Sequence, residues 1–281
     1  MACELSCSAL RVACEVTHYY SPSPRTLMRT TPAPERHGWR HAAARVLDLL
    51  YPPGCTLCGV TLSHGQALCP DCRADLPRLA EPFCQCCGEM FQGQIDGPFA
   101  CPNCHQLSFA FEFARPAMVR DARTLELIHR LKYRRENHLA NELGRLARES
   151  FADPRLAQAL AGSWPLVPVP LHRQRLRHRH FNQAEEIARA LAGDIGLPVL
   201  KALCRTRPTD SQTRLSRKQR MENLRGAFEI TRHGRRWIES APHGAVLIDD
   251  VLTTGSTVNE CAKTLRRAGF RKVLVVTVMR G

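Results

Sequence analysis

The sequence predicts an α/β protein: a largely parallel sheet with helices on both faces, preceded by a small cysteine-rich module. Three observations carry this. Four Cys-x-x-Cys pairs fall between residues 55 and 104, a stretch with few long apolar runs, so a metal must substitute for a core there. From Phe109 onward, short β-like runs alternate with helical periodicities. One apolar run ends in two adjacent carboxylates and a loop of small residues before a helical pattern.

The 281 residues suit one large domain or two smaller ones, and 44% hydrophobic content allows a packed core. The formal net charge of +14, carried mostly by Arg, raises the local concentration of polyanions without choosing among nucleic acid, anionic lipid and phosphorylated metabolites. No apolar run approaches the ~20 residues that span a bilayer. Residues Met1 to Ser8 lack a secretory pattern, so a cytoplasmic location without membrane insertion is expected. There thiols stay reduced, and paired cysteines read as metal ligands rather than disulfides.

Three regions follow in order. Residues 1–40 hold Pro22, Pro24, Pro32 and Pro34 without a sustained period, and read as a disordered or non-native extension; a native start at Met28 is compatible with this. Residues 41–107 form the cysteine module, entered by an expected helix from Trp39 to Leu50 that Pro52, Pro53 and Gly54 stop. Residues 108–281 form the α/β domain. Its expected strands are Ala114–Val119, Leu166–Val169, Gly226–Ile230, Ala245–Ile248 and Val273–Val278. Its expected helices are Thr124–Lys132, Leu139–Phe151, Asn182–Ala192 and Val258–Ala268.

The cysteine pairs are Cys55/Cys58, Cys69/Cys72, Cys84/Cys87 and Cys101/Cys104. Each suits one zinc knuckle, and two knuckles make a closed tetrahedral site of the structural kind. Two zinc ions are therefore expected. Gly59 and Gly88 follow their pairs directly, where positive φ lets backbone N–H groups point at sulfur. Pairing the first two knuckles and the last two is simplest; crossed pairing fits the spacing too. Redox chemistry by one pair is the weaker reading, since four pairs occur together. Cys86 suits a knuckle poorly, and Cys3, Cys7, Cys14, Cys204 and Cys261 read as spare or core thiols.

The sharpest signal runs from Val246 to Thr257. A strand ends in Asp249 and Asp250, and the loop Thr253–Thr254–Gly255–Ser256–Thr257 opens a helix. A helix start offers free N–H groups and a positive dipole end to a phosphate. Four hydroxyls add donors, and Gly255 allows close backbone approach. Carboxylates suit a neutral polyol or Mg²⁺ rather than the phosphate itself. A ribose 5-phosphate satisfies both halves. The bland alternative is an ordinary strand–turn–helix with a hydroxyl N-cap.

This run resembles the phosphoribosyl pyrophosphate (PRPP) signature of type I phosphoribosyltransferases. Val167–Pro168–Val169–Pro170–Leu171–His172 resembles the family's pyrophosphate loop. Phe181–Asn182–Gln183–Ala184 then opens a helix as in ComF-type relatives. Gln212, Leu215, Arg220, Asn223, Gly226 and Phe228 resemble the flexible catalytic loop and the strand after it. Leu131–Lys132–Tyr133 and the cysteine module complete a pattern similar to the ComF/GntX family. The resemblance implies a type I phosphoribosyltransferase-like sheet of about five strands after a double zinc ribbon. It implies PRPP and Mg²⁺ bound by Val169, Pro170, Leu171, Asp249, Asp250 and the 253–257 loop, with Asp249 and Asp250 as the catalytic candidates. It also implies a link to natural competence and DNA uptake, with DNA-uptake proteins and single-stranded DNA as expected partners.

Arg173, Arg175, Arg177 and Arg179 crowd the segment after the pyrophosphate-loop match. They suit a pyrophosphate leaving group, a nucleic-acid backbone, or a solvated loop. Aromatic residues make up 6% of the chain, so no stacking platform is evident, although Phe181 adjoins the cluster. Two functions stay open: a PRPP-binding module, and an active transferase moving ribose 5-phosphate to a nitrogen acceptor.

Overall fold

A computed structural model describes residues 53–63, 65–105, 107–208, 223–239 and 244–281. They all belong to one unit, Arg45–Gly281. The expected extension at 1–40, the helix at 39–50, and Gln212, Leu215 and Arg220 lie outside the described residues.

The elements run as follows: α1 (Pro70–Ala74), α2 (Pro102–His105), β1 (Ala114–Val119), α3 (Ala122–His129), a π turn (Arg130–Arg134) and α4 (Leu139–Arg148). Then come α5 (Ala157–Ala161), β2 (Leu166–Pro168), α6 (Arg173–Arg179), α7 (Gln183–Ile195), β3 (Leu203–Arg205), β4 (Phe228–Ile230), α8 (Arg232–Glu239), β5 (Gly244–Leu252), α9 (Ser256–Ala268) and β6 (Lys272–Arg280). The main sheet is parallel, in the order β1-β6-β5-β2.

Side-chain alternation on the central strands builds two core layers. Val246 and Ile248 of β5, with Leu274, Val276 and Val278 of β6, pack with Leu139 and Leu143 of α4 and Ile187 and Leu191 of α7. Ala245, Leu247, Val273 and Val275 face the other way, with Val258, Cys261, Ala262 and Leu265 of α9. This period of two on strands buried on both faces is what a parallel sheet between helices requires. Gly144 lets α4 approach α7 closely: a Cβ there would stand 2.6 Å from the Ala190 methyl.

Both outer edges of the sheet are covered. Beside β1, Leu79 N–H donates to the Ala117 carbonyl (2.9 Å) and Val119 N–H to the Pro77 carbonyl (3.0 Å), so a strip of the cysteine module caps that edge. Beside β2, Leu166 N–H donates to the Pro198 carbonyl at 2.8 Å and Leu200 N–H to the Leu166 carbonyl at 2.9 Å. Covered edges cannot template pairing with another chain.

The expected strand at 226–230 requires correction. Its ordered part, β4, pairs antiparallel with β3, a strand the sequence reading missed, in a separate two-stranded ribbon. The physical reason is the covered β2 edge: Pro198–Leu200 occupies it, leaving no place for a further parallel strand.

Candidate functional site

The sulfurs form two groups, Cys55/Cys58/Cys69/Cys72 and Cys84/Cys87/Cys101/Cys104, in each of which the Sγ atoms lie within 4.8 Å of one another. Pairing is thus sequential rather than crossed. Gly59 and Gly88 take φ values of 78° and 68°. Backbone N–H groups point at the sulfurs: Cys69 to Cys55 (3.4 Å), Cys72 to Cys69 (3.3 Å) and Cys101 to Cys84 (3.2 Å). Burial opposes ionisation of Cys55, yet the N–H groups of Cys69, Cys58 and Leu57 bring its thiol down to about 6. The side chain of Cys87, with backbone donors, brings Cys84 to about 4. In each group one thiolate is thus favoured, while neighbouring sulfurs and burial push Cys72, Cys87 and Cys104 up, so a metal would displace their protons. Both groups suit one structural zinc ion. Cys86 belongs to neither group, Cys261 is buried in the core beside the sheet, and Cys204 is exposed.

At the carboxyl ends of β2 and β5 lies a cleft of about 400 Å³. Val169, Pro170 and Leu171 line it on one side; Asp249, Asp250, Thr253 and Thr257 line its floor. Thr254, Gly255 and Ser256 lie behind that surface. Gly255 sits at φ 76°, and the Thr254 and Ser256 hydroxyls are 2.8 Å apart at the head of α9. Asn182 caps α7 and ties it to the opposite loop, its Nδ2 donating to the Val169 carbonyl at 3.0 Å.

The two carboxyls sit in different electrostatic surroundings. Burial works against ionising Asp250, but Lys132 forms an ion pair with it and, with a hydrogen bond from Gln183, keeps its carboxyl below the usual range. Burial first, and then the neighbouring Asp250 charge, push Asp249 well above that range. Lys132, despite its own burial, is held protonated by Asp250. Burial and the shared site thus pull the two carboxyls in opposite directions. Gln183 extends the network, its Oε1 accepting from Arg179 Nη1 at 3.0 Å.

Cations gather opposite. Arg175, Arg179 and Arg205 line the cleft along with Arg120 and Lys132. The basic stretch, for which a solvated loop is one of three readings, is helix α6, with no buried residue. Only Arg175 and Arg179 of its four arginines reach the cleft; Arg173 lines a neighbouring groove. Phe181 is buried and offers no stacking surface. The far wall is built from α3 and the π turn: Leu125, Ile128, His129, Lys132 and Tyr133. The sequence reading gave Lys132 and Tyr133 no role. A basic residue after an amphipathic helix, which the π turn swings inward, was the available signal.

Residues 46–105 match the double zinc ribbon domain family. The chain is 30% identical over 214 residues to Competence protein F of Haemophilus influenzae, covering 74% of this chain and 88% of that protein. It is 31% identical over 224 residues to DNA utilization protein YhgH of Escherichia coli, covering 79% and 87%. To Competence protein ComFC of Bacillus subtilis it is 22% identical over 216 residues, covering 74% and 81%. Among the described residues no helix is long and apolar enough to cross a membrane. A double zinc ribbon fused to a parallel α/β domain, with these relatives along most of its length, places the chain in the ComF family.

Proposed function

We propose that this protein binds PRPP and serves natural competence and DNA uptake or DNA utilisation, a reading supported by relatives named as competence and DNA utilization proteins. The observation that carries the reading is a single cleft joining a hydroxyl-rich helix start, one carboxylate-plus-lysine pair and four arginines at the carboxyl ends of two adjacent parallel strands. The ribose 5-phosphate group fits the 253–257 loop at the head of α9, where Thr253 and Thr257 line the cleft. The ribose diol meets Asp249 and Asp250. Arg175, Arg179 and Arg205 neutralise the pyrophosphate. Mg²⁺ fits as a companion of the pyrophosphate, supplying charge neutralisation when bound. Asp249, whose Oδ1 accepts from the Asp250 N–H at 2.9 Å, is the carboxyl not paired with Lys132 and would face the ion.

Active transfer to a nitrogen acceptor is the second reading. The wall from Leu125 to Tyr133 favours it, since it gives an acceptor a place across from the carboxyls. Positioning and charge neutralisation would be the protein's contribution to such a reaction.

Calorimetry with PRPP and Mg²⁺ tests the binding reading. The Asp249→Asn, Asp250→Asn double variant should lose about ten- to a hundredfold in affinity with folding intact, the value of a charged hydrogen bond. Equal affinity in wild type and variant rejects the site. Pyrophosphate release against a panel of bases and amines separates transfer from binding alone.

A further inference from the structure

Arg280, near the end of β6, reaches two places at once. Its Nη1 donates to the carbonyls of Leu252 and Thr253, each at 2.8 Å, where β5 turns into the phosphate loop. Its Nη2 pairs with Glu89 and lies 4.0 Å from Cys87 Sγ. The side chain is only 11% exposed. Glu89 belongs to the hairpin that presents the second cysteine group, since its carbonyl accepts from Cys84 N–H at 2.8 Å. One guanidinium thus spans the loop entry and the cysteine group. A planar fork with fixed donors can hold both sides together, which a lysine ammonium cannot.

A second contact joins the same two regions. The chain leaving the second group stacks Phe109 on Phe111 (4.7 Å), with Phe109 against Gly255 of the loop. Between them, Ala110 N–H donates to Asn259 Oδ1 of α9 at 2.8 Å. The loop and the second cysteine group therefore share a wall.

The hairpin that carries Glu89 is presented by the second cysteine group, so an ion that gathers Cys84, Cys87, Cys101 and Cys104 also fixes where Glu89 meets Arg280.

We infer that Arg280 is a positioning residue that makes the conformation of the 252–257 loop depend on the state of the second cysteine group. Where the loop binds a phosphate ester, as the reading above has it, ligand affinity then reports whether that group is assembled.

The test starts with amide hydrogen exchange in ligand-free, zinc-loaded protein, which does not depend on knowing the ligand. Glu89 is 45% exposed, so Glu89→Gln should fold and keep its metal; zinc content and the melting curve verify this. Arg280→Met and the double variant complete the set. Glu149→Gln, which loses an exposed pair with Arg78, is the control. Exchange across 252–257 should quicken about tenfold in Glu89→Gln and in Arg280→Met, with the double variant no faster than Arg280→Met alone. The control should match wild type, and Arg280→Lys should not rescue. Loop exchange equal to wild type in both variants, or additive effects in the double variant, overturns the inference. PRPP titration follows: affinity should fall in parallel with the loss of protection. Faster exchange with unchanged PRPP affinity also overturns it. A wild type that binds no PRPP, with exchange still responding as above, upholds Arg280 as the tie and sinks the ligand reading instead.

Discussion

The two cysteine groups share one spacing rule and sit in different surroundings. In the first, Cys58 is exposed and Cys72 half-buried; in the second, all four cysteines are buried. The first ribbon is joined to the domain by an apolar junction, where Cys55, Leu68, Cys69 and Leu76 share one core cluster with Leu127 and Leu139, and by a polar clasp. Arg73 forks onto the buried Glu142 at 2.6 and 2.8 Å, and Arg130 donates to the Thr56 carbonyl at 2.7 Å. The second ribbon is continuous with the apolar core, where its cysteines pack with Phe111, Leu252 and Val258. Even Gly88 is pressed against the sheet, where a Cβ would stand 2.5 Å from the Pro116 ring. The difference teaches that one metal-binding pattern can leave two of its ligands at least partly exposed in one copy and bury all four in the next.

The largest expected effect separates the two copies. Structural zinc contributes on the order of 10–16 kcal/mol to small metal modules, against about 5–15 kcal/mol for the stability of a whole domain. Cys84→Ser or Cys101→Ser should therefore yield no soluble folded protein. Cys58→Ser should yield folded protein with one zinc equivalent, and a chelator should strip the first site before the second. Metal analysis and circular dichroism check this; equal damage from both substitutions would dissolve the contrast.

Next in size is the ion pair below the cleft. Lys132→Met leaves Asp250 buried without its cation and should cost about 3–5 kcal/mol, measured by denaturant unfolding. Adding Asp250→Asn should recover part of that loss. The pH signs differ along the same pair. Asp250 contributes stability above the ordinary carboxylate pKa and loses it as pH falls through its depressed value. Asp249, whose value is raised, reduces stability as pH climbs through the carboxylate range. PRPP binding that uses the Asp249 carboxylate should accordingly strengthen with rising pH, and Asp249→Asn should flatten that profile.

A smaller effect tests the clasp. Arg73→Met removes a charged fork from Glu142 and should cost roughly 1.5–3 kcal/mol. Exchange should quicken in the first ribbon and not in the second. The smallest effect on stability belongs to α6, which buries no residue. Changing Arg173, Arg175, Arg177 and Arg179 to Ala should leave the melting curve in place. If single-stranded DNA binds there, the salt slope of its affinity should flatten by roughly two to three, at about −0.7 per neutralised phosphate. Fluorescence anisotropy flat at low salt in the wild type ends the DNA reading.

What was legible in the sequence was local. Cys-x-x-Cys spacing with a following glycine fixes a knuckle within five residues. The run from Val246 to Thr257 declares strand, loop and helix from neighbouring residues. Val169 and Thr253 fell in the same cleft because each ends a strand. Long-range pairing was less legible. Nothing near Phe228 says that Pro198–Leu200 has already taken the sheet edge. Lys132 reaches Asp250 only because a π turn redirects it, and Arg280 meets Glu89 across most of the chain. Its role depends on two carbonyls that carry no residue identity.

The strip Pro77–Leu79 has a consequence for synthesis on the ribosome. β1 finds its sheet partner β6 only when residues 272–280 emerge, long after β1 itself has left the ribosome. Until then β1 has two open flanks, except that Pro77–Leu79 precedes it in the chain and can already lie along one of them. A cell short of zinc would release nascent chains with both flanks bare, and such edges invite association between chains. Metal starvation should therefore appear as aggregates formed during synthesis, while protein finished before the shortage keeps its fold for as long as it holds its ions.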